Sequence, residues 1–323
     1  MNKLVVSSSP HIRSNTKTNR IMLDVVIALM PAAIMGTVIF GLRALLVLAT
    51  CVASAVAAEI VFNLVTKKQQ TVGDFSAIIT GLLLGLNLHA NAPIWQCVIG
   101  SVFAIVVVKC LFGGLGCNFA NPAITARIFL LVCFTGNLAG GVDPYDWSTF
   151  GQKVELTSSA TPLDLIKSGE TDALPTLLDM LLGNRAGAIG EGCAIALILG
   201  GVYLIARKVI SWQTPVIYIG TVFVLSLITL GSFSLALYEV LGGGLIIAAF
   251  FMATDYSTTP INKLGKMIFA LGCGLITVLI RFLGTYPEGV SYAILLMNIL
   301  SPYIEKLCEG RPLGKEVKKN EKQ

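Results

Sequence analysis

Apolar runs of about twenty residues recur along this chain too often for a water-soluble core. They fall at 21–41, 44–66, 75–89, 93–113, 121–139, 189–210, 215–231, 236–254, 265–284 and 288–304. A helix needs ~20 apolar residues to cross the hydrocarbon of a bilayer, so ten runs read as ten transmembrane helices. Composition leaves little else: 55% of the 323 residues are hydrophobic and 13% charged, and the mean hydropathy is +0.80. A soluble domain carries about 25% charged residues, so a separate soluble domain of ordinary size is not expected. The run at 21–41 ends without a small-x-small cleavage site and reads as a retained first helix.

The bases orient the runs. If all ten cross, one side receives Lys3, Arg13, Lys17, Arg20, Lys67, Lys68, Lys109, Arg207, Lys208, Lys263, Lys266 and the six bases from Lys306 to Lys322, seventeen in all. The other side receives Arg43, Lys153, Lys167, Arg185 and Arg281, which is five, and Arg127 stays inside a span. Such segregation places both termini in the cytoplasm of a bacterial inner membrane, in contact with its lipid. The net charge of +5 is therefore a topology signal and implies no nucleic acid. The chain divides into a tail (1–20), five spans (21–139), an acidic exoplasmic loop (140–188), five spans (189–305) and a basic tail (306–323).

Five spans on either side of a loop force the second set to insert upside down relative to the first. The expected fold is all-α and polytopic, with two inverted five-helix repeats whose third helices are short or broken. In the first half Thr80-Gly81 and Gly85 lead to Asn87, His89, Asn91 and Pro93. In the second, Gly242-Gly243-Gly244 leads to Thr254-Asp255 and Pro260.

Charges in hydrocarbon cost about 2.5–3.5 kcal/mol each on insertion scales, so those within runs need a partner or a purpose. Glu59 and Glu239 sit in mid-run. Asp24, Asp74 and Asp255 lie at span ends, where hydration or capping suffices. Glu191 follows Gly187-Ala188-Ile189-Gly190 at the start of a span, where a carboxylate also complements the helix dipole; both readings stay open. Eight cysteines are scattered without CxxC spacing, and His11 and His89 stand apart, so no metal site is expected. Gly113-Gly114-Leu115-Gly116-Cys117-Asn118, before Asn121-Pro122, reads as a tight turn whose bare amides could also receive an anionic or carbonyl-bearing ligand.

The loop carries the most specific pattern, Glu155-Leu156-Thr157-Ser158-Ser159-Ala160-Thr161-Pro162-Leu163. Read locally, Thr161 caps a helix that begins at Pro162 and has Asp164 in its first turn. Ser158-Ser159-Ala160-Thr161 also resembles the flavinylation motif of the D subunit of Rnf complexes and of the related B subunit of sodium-pumping NADH:quinone oxidoreductases. Glu155 stands where that motif has Asp, and Ser159 where Gly is common. The resemblance extends to Gly113–Pro122, Gly187–Glu191, Phe250–Asp255 with Pro260, and Asn298–Tyr303, and covers residues 10–310.

That resemblance implies a membrane subunit of an Rnf-type complex that couples ferredoxin:NAD electron transfer to Na⁺ or H⁺ export. Thr161 would carry FMN through a phosphoester attached by an exported FMN transferase. Room is left for a noncovalent riboflavin, and other subunits would hold the iron–sulfur clusters and the NAD site. Burying the charge of a reduced flavin is costly unless a cation accompanies it, which makes Glu59, Glu239 and Asp255 the candidate cation path. An inverted-repeat solute transporter or channel without a redox cofactor is the alternative; it would leave the Thr161 loop unexplained.

Overall fold

The computed structural model describes residues 17–134, 138, 140–145, 158–284 and 288–308. Helices start where the apolar runs start. They are α1 (Thr18–Phe40), α2 (Leu42–Val65), α3 (Ser76–Leu86), α4 (Ile94–Val102, running on as π-helix to Cys110) and α5 (Pro122–Cys133). After the loop come α6 (Pro162–Ser168), α7 (Leu177–Leu182), α8 (Ala194–Ala206), α9 (Gln213–Leu230), α10 (Phe233–Leu241), α11 (Leu245–Ile247, π-helical to Met252), α12 (Lys263–Leu283) and α13 (Val290–Leu307).

Each apolar run of the sequence holds one helix or, for 236–254, the pair α10 and α11. Their lengths vary, and fewer of them than the ten expected are long enough to cross a membrane alone. By length and composition α1, α2, α9 and α12 could each cross a membrane, and α10–α11 makes a fifth if counted as one span bent by 62°. The α3 helix has 11 residues, about 16 Å at 1.5 Å per residue, half the hydrocarbon thickness. Its shortness follows from Asn87 and Pro93, which end it early. The α10–α11 bend follows from Gly243 and Gly244, at φ 62° and 66°, a region a side chain resists.

Packing repeats between the halves. In the first, α2 lies against α3 and α4; in the second, α9 lies against α10 and α12. Across the halves α1 meets α8 and α5 meets α13. Close approach of α3 to α2 depends on small residues: a Cβ on Gly81 would sit 2.7 Å from the Cys51 carbonyl oxygen. The two run antiparallel, with Gly85 against Leu48 and Arg43 donating to the Ala90 carbonyl (3.3 Å).

Leu29, Leu84, Ile124, Leu130, Tyr218 and Phe269 fill a continuous core. The outside is equally apolar, with Ile34, Leu46, Leu64, Leu199 and Ile228 each more than half exposed. Apolar side chains on both the inside and the outside of a helical body are what a lipid solvent produces.

Candidate functional site

Two short strands, β1 (Gly141–Val142) and β2 (Ser158–Ser159), pair antiparallel, and Val142 also bridges to Gly187. This ribbon holds the loop at the C-terminal end of α1, where Tyr145 N–H donates to the Ile39 carbonyl (2.7 Å). Thr161 leaves β2 and caps α6 in a reciprocal box. Its N–H and Oγ1 donate to Asp164 Oδ2 (2.9 and 2.7 Å), and the Asp164 N–H donates to Oγ1 (3.3 Å). The cap expected from the sequence is present. The hydroxyl is less open than a modification site suggests: Thr161 is 6% exposed. Ser159 Oγ donates to Asp143 (2.5 Å), and Ala160 is exposed. Glu155 lies outside the described residues, as does the side chain of Ser158.

Below the cap, α6 lies on the α10–α11 bend. A Cβ on Gly242 or Gly243 would meet Leu163 at 3.2 or 2.5 Å, so glycine lets the two elements touch. Glu239 pairs there with Arg281 (2.8 Å), which also donates to the carbonyls of Glu239 and Gly242 (2.6 and 3.2 Å). Leu163, Ile166, Lys167, Glu239, Arg281 and Phe282 border a cavity of about 200 Å³.

At the other end of the body, Lys109 pairs with Glu59 (2.9 Å) and donates to Ser76 Oγ (2.6 Å), while Thr71 Oγ1 donates to Glu59 (2.7 Å). Asp74 caps α3, accepting from Ser76 N–H (2.9 Å). Lys109 and Asp255 both line a cleft with Ile21, Met22, Asn118 and Asn121. Asp255 accepts from Ser257 and Thr258 hydroxyls (3.0 and 3.2 Å); burial pushes its carboxyl up, and these bonds hold it down. Of the three expected cation-path carboxylates, Glu59 and Asp255 therefore share one end, joined through Lys109, and Glu239 stands at the other beneath Thr161. Asp24, at its span end, is not simply hydrated but pairs with Arg207 (3.1 Å).

Between these ends lies a cluster that sequence reasoning did not assemble. Arg127 pairs with Glu288 and donates to Asn87 Oδ1 (2.9 Å). Arg185 donates to the carbonyls of Glu191 and Leu241 (3.2 and 2.7 Å). Lys109, Arg185 and Arg281, counted above as loop charges, are all at least 95% buried. A loop count cannot see a base that folds back under its own helix end; for Lys109 and Arg281 the signal available was a mid-run carboxylate without a partner, Glu59 and Glu239. Among the described residues no group of His, Cys, Asp and Glu is arranged to hold a metal, and all eight cysteines are free.

Do these residues fit a threonine-linked flavin phosphate? Esterification leaves Oγ1 able to accept from the Asp164 N–H but removes the proton it gives to Asp164, and sets a phosphate beside that carboxylate. The box must loosen on that side. Exposed Ala160 and the small Ser159 give the group a way out to the surface. The fit holds at the cost of half the cap.

Helices wrapped in exposed apolar side chains, with paired charges buried at helix breaks, define a polytopic membrane protein of the kind that moves charge. The chain belongs to the NQR2, RnfD, RnfE family, whose model matches residues 5–314. It is 46% identical to the D subunit of the Na(+)-translocating ferredoxin:NAD(+) oxidoreductase complex of Acetobacterium woodii, over 99% of this chain and 98% of that one. Against the D subunit of the proton-translocating ferredoxin:NAD(+) oxidoreductase complex of Clostridium ljungdahlii it is 42% identical over 97% of each chain. With the D subunit of the ion-translocating oxidoreductase complex of Halorhodospira halophila it shares 34% over 98% and 96%.

Proposed function

We propose that this chain is the D-type membrane subunit of an ion-translocating ferredoxin:NAD oxidoreductase complex, relaying electrons through FMN joined to Thr161. It is a part of an enzyme, catalytically incomplete without the other Rnf subunits. The single observation that carries the electron-carrier reading is the Thr161 helix resting on the α10–α11 bend, within one contact of the buried Glu239–Arg281 pair. A plain permease would leave the Ser158-Ser159-Ala160-Thr161 pattern unexplained.

The flavin, when bound, supplies one-electron transfer; the protein supplies position and charge. Ser159 and Ala160 give space, the Asp164 N–H keeps the ester oxygen oriented, and the Arg281–Glu239 pair lies below. A noncovalent riboflavin is assigned to the cleft at the other end, between α1, α3, α5 and α11. Phe250, Phe251 and Leu83 offer apolar walls there, and Asn118 Oδ1 is buried without a partner.

The repeated packing supports two inverted five-helix halves. Lys109 and Arg281, each near the C-terminal end of the fourth helix of its half, both reach the third segment: Lys109 at Ser76, where α3 starts, and Arg281 at Gly242, in the break between α10 and α11. In-gel ultraviolet fluorescence of the denatured protein, with mass spectrometry of the Thr161 peptide, tests the assignment. Protein from its own cells is expected to fluoresce and to carry FMN mass at Thr161. A dark band of unmodified mass would restore the transporter reading.

A further inference from the structure

Glu191 is 7% exposed and, among the described residues, forms no ion pair within 4 Å. Its Oε1 is buried without a hydrogen-bond partner. The other buried carboxylates differ in this respect: nearby, Glu239 has Arg281 and Glu288 has Arg127, and at the far end Asp255 has two hydroxyls. An ionised carboxylate left this bare is costly.

The surroundings are built around it. Ile189 packs on Gly36, four residues in from the end of α1, so Glu191 lies just inside the loop-side end of the body. Glycine faces both oxygens: a Cβ on Gly187 would sit 3.3 Å from Oε2, and one on left-handed Gly244 would sit 3.3 Å from Oε1. A cavity of about 10 Å³, room for a single water, adjoins it between Arg185, Leu241 and Gly244. Charged groups face it from every side: Arg127 on α5, Arg185 before it in the chain, Arg281 on α12 and Glu288 before α13. Arg185 nevertheless gives its bonds to the Glu191 and Leu241 carbonyls and to Met180 Sδ, not to the carboxylate.

We propose that Glu191 is a proton-binding site of this subunit, taking up one proton as an electron arrives beside the α10–α11 bend and returning it as the electron leaves. The proposal rests on the electron-carrier reading above, in which reduced ferredoxin supplies the electron and NAD finally accepts it. A proton suits this site better than a metal ion because the oxygens a cage would need are engaged. The Leu241 and Gly242 carbonyls at the bend already accept from Arg185 and Arg281. One proton turns the bare carboxylate into a neutral acid, and the freed arginine charge is left to balance the electron.

The test uses the intact complex carrying wild-type, Glu191→Gln or Glu191→Asp chains. The expected result in redox difference infrared spectra is a protonated-carboxyl band that shifts in D₂O, moves in Glu191→Asp and vanishes in Glu191→Gln. In sealed vesicles, the rate of ferredoxin-driven ion uptake in Glu191→Gln should fall on the order of 100-fold, the scale of a lost proton-transfer group. Glu191→Asp should keep a measurable part. A spectrum without such a band in wild type, or one that Glu191→Gln leaves intact, overturns the proposal. Loss of Na⁺ uptake in Glu191→Gln with no carboxyl band would make Glu191 a metal ligand and also overturn it. If Glu191→Gln fails to assemble, ¹³C-glutamate labelling with the Glu191→Asp shift decides on folded protein. If the wild-type chain carries no flavin, the electron-carrier reading falls separately; a pH titration of the same band without electron flow then settles whether Glu191 binds a proton.

Discussion

Thr161 uses its hydroxyl twice in the capping box, as donor to Asp164 Oδ2 and as acceptor from the Asp164 N–H. Only the second use survives esterification. Thr161→Ala removes both, so it should abolish in-gel flavin fluorescence and cost about 1 kcal/mol of stability through the lost cap. Thr161→Ser keeps an oxygen in place and should retain fluorescence, with the bond from the Asp164 N–H preserved as in the wild type. A fluorescent Thr161→Ala band would place the flavin on another residue. The cap was legible in the order Thr161-Pro162-Leu163-Asp164, because capping is decided within four residues. The burial of Thr161 was not legible, since the bend that α6 rests on, Gly242-Gly243, is eighty positions away in the chain. At Glu191 the local pattern offered a dipole role and an ion role equally. What separates them is Oε1, bare beside Gly244, which only the fold brings near.

Among the elements, the ion pairs at the two ends of the body tie the end of a fourth helix to another helix of its half: Lys109 of α4 to Glu59 of α2, and Arg281 of α12 to Glu239 of α10. Breaking such a pair leaves an uncompensated charge in an apolar body, which costs about 3–5 kcal/mol, whereas replacing both partners by apolar residues costs far less. Glu59→Gln alone should therefore lower the thermal midpoint of detergent-solubilised protein sharply, and Glu59→Leu with Lys109→Met should recover most of the loss. If the double variant is as unstable as the single one, the network through Ser76 and Thr71, not the charge pair, holds α3. The bend makes a second case. Gly244→Ala must place a Cβ at φ 66°, with a left-handed cost of roughly 1–2 kcal/mol. It would also press on Glu191 Oε1 and should move the infrared band of that carboxyl. The short α3 and the α10–α11 bend were legible from glycine and proline. The partners of Glu59 and Glu239 were not, because Lys109 and Arg281 look like loop bases until the helices are packed.

The molecule as a whole is ordered along α1. Its first turns, Ile21 and Met22, line the cleft that holds Asp255, and its last turn meets the loop at Tyr145. The 19 residues from Ile21 to Ile39 span about 27 Å, nearly the hydrocarbon thickness. The two candidate flavin places therefore lie at opposite ends, with Glu191 just beneath the loop end. Whether these ends face opposite compartments turns on α3. With α3 as a full passage, α3, α4 and α5 make three crossings between Lys68 and Glu170. With α3 as a re-entrant hairpin they make two, and both residues face the same side. The antiparallel run of α3 down α2, from Ser76 near Glu59 to Ala90 near Arg43, favours three. In a background with Cys117→Ser and Cys133→Ser, a membrane-impermeant thiol reagent should label Glu170→Cys in intact cells. Lys68→Cys should react only after permeabilisation. Labelling of both from outside would make α3 a hairpin, undo the inverted halves, and return Thr161 to the side on which the N-terminus lies.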